Sequence, residues 1–207
     1  NAGETSLLVR DTKKANGIYL HECSVAFGSL TVGDEVKACV NRSERLATMR
    51  NHSAVHLLQA ALRDVLGDHV TQAGSYVDDK RARFDFTHFE AMTPEELETV
   101  ERLVNEYILS LTDIETLELP LEEAKKLGAL ALFGEKYGEI VRVVRMGDIS
   151  TEFCGGTHAK NTAEIGLFKI VSETGVAAGV RRIEAVTGLN VLEYLNEKQQ
   201  TVSGVAS

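Results

Sequence analysis

The chain has 207 residues, 43% of them hydrophobic and 26% charged, enough for the core of one large or two small domains. No apolar run approaches the roughly 18 residues that cross a bilayer, and no secretory signal pattern is visible, so a membrane-spanning helix is excluded. The net charge of −9 argues at first against a nucleic-acid partner. Residues 90 to 123, however, hold eleven acids against one base, Arg102; they carry −10, and the remainder stands at +1. The acidity is therefore expected on one solvated, helical region, leaving other surfaces open to RNA. Cys23, Cys39 and Cys154 show no disulfide spacing, which suits a reducing, cytoplasmic setting. The start, "NAGETSLLVRDTKK", lacks an initiator Met and reads as the interior of a longer protein.

In chain order, residues 1 to 41 look strand-rich. "GIYLHECSVAF" and "DEVKACV" have alternating or β-branched character, with the turn-like "GSLTVGD" between them. A piece this small is a poor independent domain and reads as part of a larger β module. From Thr48 to Leu66 the pattern turns helical: Ala54, Leu57, Leu58, Ala61, Leu62 and Val65 form one apolar stripe at spacings of three and four. At 100° per residue, His52, His56 and Gln59 lie opposite that stripe, where a core histidine is not expected.

"GSYVDDKRARFDF" reads as a hairpin turning near Asp78-Asp79-Lys80. The next helix, "TPEELETVERLVNEYILSL", has a defined start: Thr93 as N-cap, Pro94 at N1 and Glu96 completing a capping box. A shorter helix is expected after Pro120. "EIVRVVRM", "GLFKIVSE" and "GVRRIEAVTG" read as strands, the last two joined by the small-residue turn "TGVAAG". A helix is expected from Leu189 onward. The order points to an α+β fold, an antiparallel sheet with helices packed on one side, preceded by a partial β-barrel segment. The expected divisions are 1–41, 42–188 and a helical linker at 189–207.

Two short motifs carry chemistry. His52 and His56, at i and i+4, project from one helix face about a turn apart, a spacing at which both can bind one zinc ion. Alone, such a pair is as readily a solvated or hydrogen-bonded pair. About a hundred residues on, "EFCGGTHAK" sets Cys154 and His158 around two glycines, which can take φ > 0 and curl the loop. Alone, this is equally a buried cysteine beside a turn. Together the two pairs point to a His3Cys zinc site, since imidazole and thiolate suit Zn²⁺ over harder cations. A metallopeptidase would need Glu beside the first histidine, where this chain has Ser53. A purely structural zinc usually has more cysteines, although His3Cys is compatible with one. If one ligand gives way, a water or substrate group takes its place, and a zinc-bound water can have a pKa of about 7.

"RNHSAVHLLQAAL", "HVTQAGSYVDDKRARFDFTHFEAM" and "GEKYGEIVRVVRMGDISTEFCGGTHAKNTAEIGLFKIVSETGVAAGVRRIEAVTG" together resemble the editing domain of alanyl-tRNA synthetase, from about Arg50 to Gly188. Related domains occur in threonyl-tRNA synthetase and in free-standing alanyl-tRNA deacylases. The resemblance makes residues 1 to 41 the end of the preceding β-barrel. It implies zinc on His52, His56, Cys154 and His158, and hydrolysis of tRNA(Ala) mischarged with serine or glycine. No DNA or membrane partner is implied. The family often has Thr where this chain has Val55, so a hydroxyl role there does not carry over. The aminoacylation motifs are absent, so this chain is not expected to perform the ATP-dependent charging of the parent ligase.

Such a second site answers a physical need. A pocket for alanine cannot strongly reject the smaller glycine, and it discriminates weakly against serine's added hydroxyl. An aminoacyl ester is easier to cleave than an amide, so a dedicated carboxylate base is dispensable. The competing expectation is a non-catalytic zinc-stabilised RNA-binding module. Gln72 is either a loop amide bonded to backbone or, as the resemblance implies, a contact to the amino acid. Arg181 and Arg182, adjacent on a strand, point to opposite faces; one is expected as a surface charge or partner of Glu184, the other as an RNA contact. Cys23 and Cys39 are expected to be ordinary small residues. His21, His69 and His88 show no partner in the sequence.

Overall fold

The computed structural model describes residues 5–130 and 137–205. The chain divides into two compact units, Asn1–Val40 and Asn41–Ser207.

The first unit is built on one hairpin. Strands β1 (Ser6–Ala15) and β2 (Ile18–Phe27) pair antiparallel. They are joined by Asn16 and Gly17 at φ 52° and 79°. Two consecutive positive-φ residues match the right-handed strand twist, and Asn-Gly is the dipeptide that adopts them at least cost. "DEVKACV", expected as a strand, has no regular structure and joins no ladder among the described residues. β1 lies within the strand-rich stretch of residues 1 to 41, ahead of the two segments expected as its strands.

The second unit begins with helix α1 (Arg42–Leu66). It starts six residues before the expected Thr48 because Asn41 caps it. The Asn41 side chain accepts from the N–H groups of Ser43 and Glu44 and donates to the Glu44 carboxylate at 2.7 Å. Two free donors of the first turn are thereby satisfied. The helix stops at Gly67, φ 109°. The hairpin β3 (Gln72–Val77) and β4 (Ala82–Thr87) follows, its turn fixed by Asp78 Oδ1 accepting from Lys80 N and Arg81 N at 2.8 Å each. Helix α2 (Pro94–Leu109) carries the expected Thr93–Glu96 capping box and the proline at its first position.

Two antiparallel sheets complete the unit. β8 (Phe168–Ala177) and β9 (Val180–Thr187) join the hairpin in the order β3-β4-β9-β8. The β8–β9 turn is tighter than "TGVAAG" suggests, because the strands run on to Ala177 and Val180 and leave only Ala178 and Gly179 (φ 68°). The second sheet has the order β5-β6-β7, from β5 (Ile114–Pro120), β6 (Ile140–Met146) and β7 (Ser150–Phe153). The short helix α3 (Leu121–Lys126) sits between β5 and β6 in sequence, and α4 (Leu189–Val205) closes the described chain. The acidic region is thus not wholly helical, since β5 occupies residues 114–120 near its end. Among the described residues no helix is long and apolar enough to cross a membrane, and all three cysteines are free.

The core lies between α1, α2 and one face of the four-stranded sheet. Alternation along β4 turns Ala82, Phe84 and Phe86 inward, and β9 adds Ile183 and Ala185. They meet Leu57, Leu58 and Leu62 of α1 and Val100, Val104 and Ile108 of α2. Each fully buried side chain of this size contributes roughly 1.5–3 kcal/mol. The fold is α+β with antiparallel sheets, and α1 and α2 both pack on the four-stranded sheet.

The face of α1 opposite its stripe is not solvated. His56 and Gln59 are buried there, and Asn51 and Ser53, which lie nearer the stripe, are buried as well. The sequence reading placed core histidines within the stripe, but α1 also meets β7, so His56 is buried while lying off the stripe. Asn51, at the edge of the stripe, shows how a buried polar side chain is tolerated: its amide donates to Asp78 O at 2.9 Å and accepts from Thr187 Oγ1 at 2.7 Å.

Candidate metal centre and its cavity

Three segments converge on the site. α1 supplies His52 and His56, β7 runs directly into Cys154, and the loop after it delivers His158. The donor atoms of His52, His56, Cys154 and His158 all lie within 4.8 Å of one another. Cys154 Sγ stands 3.5 Å from His52 Nε2 and 3.2 Å from His158 Nε2. The edges of a zinc tetrahedron with bonds of ~2.0–2.3 Å run to roughly 3.5 Å, so both separations already suit one ion.

The second nitrogen of each buried histidine is anchored. His56 Nδ1 meets Glu152 Oε2 at 2.9 Å, and Ser150 Oγ donates to the other carboxylate oxygen at 2.8 Å. His158 Nδ1 lies 3.2 Å from Ser53 Oγ, which also accepts from Ala159 N at 3.1 Å. These contacts turn both Nε2 atoms toward the cluster centre, the arrangement by which outer partners orient metal-binding imidazoles. His56 Nε2 is buried and, among the described residues, has no hydrogen-bond partner. An orphaned buried nitrogen aimed at three other soft donors fits a metal ion, and the His3Cys set fits zinc.

The loop is held by Arg142 of β6. Its Nη1 donates to Cys154 O at 2.8 Å and Gly156 O at 2.5 Å. The role of the glycines differs from the expected one: neither Gly155 nor Gly156 has a positive φ. Gly156 is required for space, since a Cβ there would sit 1.9 Å from His52 Cε1, whereas one on Gly155 would meet nothing within 4 Å.

Electrostatics follow from burial and proximity. Burial alone would lower the pKa of His56, but the Glu152 carboxylate and the Cys154 sulfur outweigh it and hold the ring up at about 10. Burial likewise opposes the Cys154 thiolate, yet hydrogen bonds from His158 and His52 and the charge on His56 bring the thiol down to about 3. His158, buried beside the His56 charge, falls to about 4 even though its hydrogen bond to Cys154 works the other way. Without metal, the cluster at neutral pH holds a thiolate, a charged His56 and a neutral His158.

One side of the cluster opens. A cavity of about 570 Å³ is lined by His52, His56, Cys154 and Gly156, with Gln72 and Ser75 also in its wall. Gln72 is the first residue of β3, not a loop residue, and its Nε2 donates to Ser75 Oγ at 3.2 Å. Arg181 and Arg182 lie away from this cavity. Each holds a carboxylate with two nitrogens: Arg181 takes Glu173 at 2.5 and 2.7 Å, and Arg182 takes Asp85 at 2.7 and 2.8 Å. Glu184, weighed as a partner for one of them, pairs with Arg81 at 2.9 Å. His69 and His88 do have a partner, each other, with Nε2 and Nδ1 2.9 Å apart. Glu152, Arg142 and the spatial demand on Gly156 were not singled out in the sequence; Glu152 is one of 31 acids there and lies on a four-residue strand.

Residues 141–184 match the family described as the threonyl and alanyl tRNA synthetase second additional domain. That span holds Cys154 and His158 but not the α1 histidines. Over 196 residues the chain is 58% identical to an alanine–tRNA ligase of Staphylococcus saprophyticus, covering 95% of this chain and 22% of that protein. It is 53% identical over 202 residues to one from Alkaliphilus oremlandii, covering 97% and 23%. With the Pseudomonas fluorescens ligase the identity is 55% over 207 residues, covering 100% and 24%. The chain therefore spans less than a quarter of the length of these relatives.

Proposed function

This chain carries the second additional domain of the threonyl and alanyl tRNA synthetases within a stretch homologous to alanine–tRNA ligases, and from that premise we propose that it is a hydrolytic editing module, deacylating Ser-tRNA(Ala) and Gly-tRNA(Ala) in the cytoplasm. One observation carries the reading: the His3Cys cluster borders a cavity of about 570 Å³ that His52, His56 and Cys154 all line. Structural zinc sites are closed, whereas catalytic ones keep an open position, which four protein donors leave only when one of them gives way on the cavity side. A cavity of this size accommodates a small ligand, such as an amino acid esterified to a nucleoside.

His52, His56, Cys154 and His158 would hold the zinc, which when bound supplies Lewis acidity for ester hydrolysis. The chain's own residues position everything else. Glu152 and Ser53 fix the two buried imidazoles, and Arg142 holds the carbonyls of the Cys-Gly-Gly turn so that Cys154 faces the cavity. Gln72 stands in the cavity wall as the contact proposed for the amino-acid side chain. Arg181 and Arg182 are proposed contacts for the RNA backbone; a phosphate reaching either would share a guanidinium already paired with Glu173 or Asp85.

The anchoring of His56 and His158 also suits a metal that only holds the fold, in a non-catalytic RNA-binding module. Deacylation of Ser-tRNA(Ala) separates the two. The zinc-loaded chain is expected to release serine and to spare Ala-tRNA(Ala), and chelation is expected to stop release. No hydrolysis at high enzyme concentration and full zinc occupancy would leave the binding module as the better reading.

A further inference from the structure

Gln59 continues the line of His52 and His56 down one face of α1, three residues and about 4.5 Å of helix rise beyond His56. It is 6% exposed, and its Oε1 has no hydrogen-bond partner among the described residues. It lines the cavity beside the metal cluster and also a neighbouring one of about 300 Å³. Apart from His56 Nε2, which faces the metal cluster, the neighbouring polar groups of the wall are engaged. Gln72 donates to Ser75, and Arg63 donates to the carbonyls of Asp68 and Val70 and to the Asp68 carboxylate. Glu152 is taken by His56 and Ser150.

A buried carbonyl left unpaired is costly, and nearly all such groups find a partner. Among the described residues none supplies that partner, and a donor entering the cavity would. Resting on the deacylase reading above, we propose that Gln59 is a substrate-binding residue whose Oε1 accepts a hydrogen bond from the α-ammonium of the aminoacyl ester. That nitrogen is two bonds from the scissile carbonyl carbon, so a group one helical turn past His56 is placed to meet it. The ammonium is common to serine and glycine. Gln59 therefore binds the class of substrate and leaves discrimination to other groups.

The test compares the zinc-loaded chain with Gln59→Met, which keeps length and removes the acceptor. The variant should retain full zinc content and a melting temperature no lower than wild type, since it deletes an unpaired buried group. Loss of one charge-assisted hydrogen bond predicts a fall in kcat/KM of about 10- to 100-fold, equal for Ser-tRNA(Ala) and Gly-tRNA(Ala). Hydrolysis of N-acetyl-Ser-tRNA(Ala), which has no ammonium, should be the same in both proteins. Binding of the non-hydrolysable 3′-seryl-amido analogue of adenosine should weaken by the same factor as kcat/KM. A loss confined to serine, an equal loss on the N-acetyl ester, or unchanged kinetics and binding would each overturn the assignment. If wild type hydrolyses no ester yet binds the analogue through Gln59, the deacylase reading fails and the ammonium contact stands.

Discussion

Helix α1 buries two faces in different ways. On one, Ala54, Leu57, Leu58, Ala61 and Leu62 are at most 1% exposed and pack on the four-stranded sheet with Phe84, Phe86 and Ile183. On the other, His56 and Gln59 are each 6% exposed, among polar groups, beside a cavity. The apolar face is stabilised by area removed from water and is indifferent to direction. The polar face tolerates burial only where each atom meets a specific partner, and among the described residues His56 Nε2 and Gln59 Oε1 are left unmatched there. Arg50 Nε and Arg83 Nε are also buried and unpaired among the described residues, but only His56 Nε2 and Gln59 Oε1 belong to residues that line the cavity, where a ligand can reach them.

The largest effect comes from closing the polar face. Gly156→Ala drives a methyl into the His52 ring and should abolish stoichiometric zinc binding, while Gly155→Ala, facing open space, should keep it. Metal analysis of the two purified variants checks this; equal zinc in both would show that His52 can move aside and is not fixed by the loop. On the apolar face, Leu58→Ala should cost about 2–5 kcal/mol in denaturant unfolding, with zinc content per folded molecule unchanged. A comparable loss of zinc would mean that the two faces are not separable.

Much of the scaffold was legible because its signals are local. Thr93, Pro94 and Glu96 fix the start of α2 with contacts inside one turn, and Asp78 closes the β3–β4 hairpin the same way. The ligand-type spacing of the two His and Cys motifs was also local, and the structure brings the four side chains together. What stayed hidden depends on tertiary contact. The second face of α1 reads as solvated because β7 is only four residues long, and β5, "IETLELP", is masked by the acids around it. The two glycines suggested backbone freedom, whereas only the assembled site reveals that Gly156 is needed to leave room for the His52 ring. Asn41 with Glu44, and Asn16-Gly17, were readable local signals that the sequence reading passed over.

A smaller change sharpens the comparison within the polar face. Glu152→Gln keeps the shape of the side chain but removes the charge that holds His56 Nδ1. Loss of such an outer partner typically weakens a metal site by about 10- to 100-fold. Competition with a chelator of known affinity would measure it, and unchanged affinity would reduce Glu152 to a packing residue.

The mildest test is pH, and it uses the cluster's own charges. Metal-free, His56 titrates near 10, so at neutral pH it carries a proton that must leave before Nε2 can bind a metal. Cys154, near 3, and His158, near 4, have already lost theirs. Above neutrality, loading should release one proton, and apparent affinity should rise tenfold per pH unit until it flattens past about 10. The same groups set the stability of the metal-free chain. The depressed Cys154 contributes stability that is complete above its unfolded value of 9.0 and is lost as pH falls toward 3; His158 adds a similar loss between 6.5 and about 4. The raised His56 works in the opposite sense: its contribution is complete below 6.5 and is lost as pH rises through about 10. Between 6.5 and 9.0 the slopes of Cys154 and His56 oppose and cancel. Their combined contribution is therefore a plateau, falling away on the acid side through the thiol and on the alkaline side through the imidazole. Calorimetry in buffers of different ionisation enthalpy counts the released proton. A count of zero at pH 8 would mean that His56 is neutral before metal arrives, and that Glu152 orients the ring without charging it.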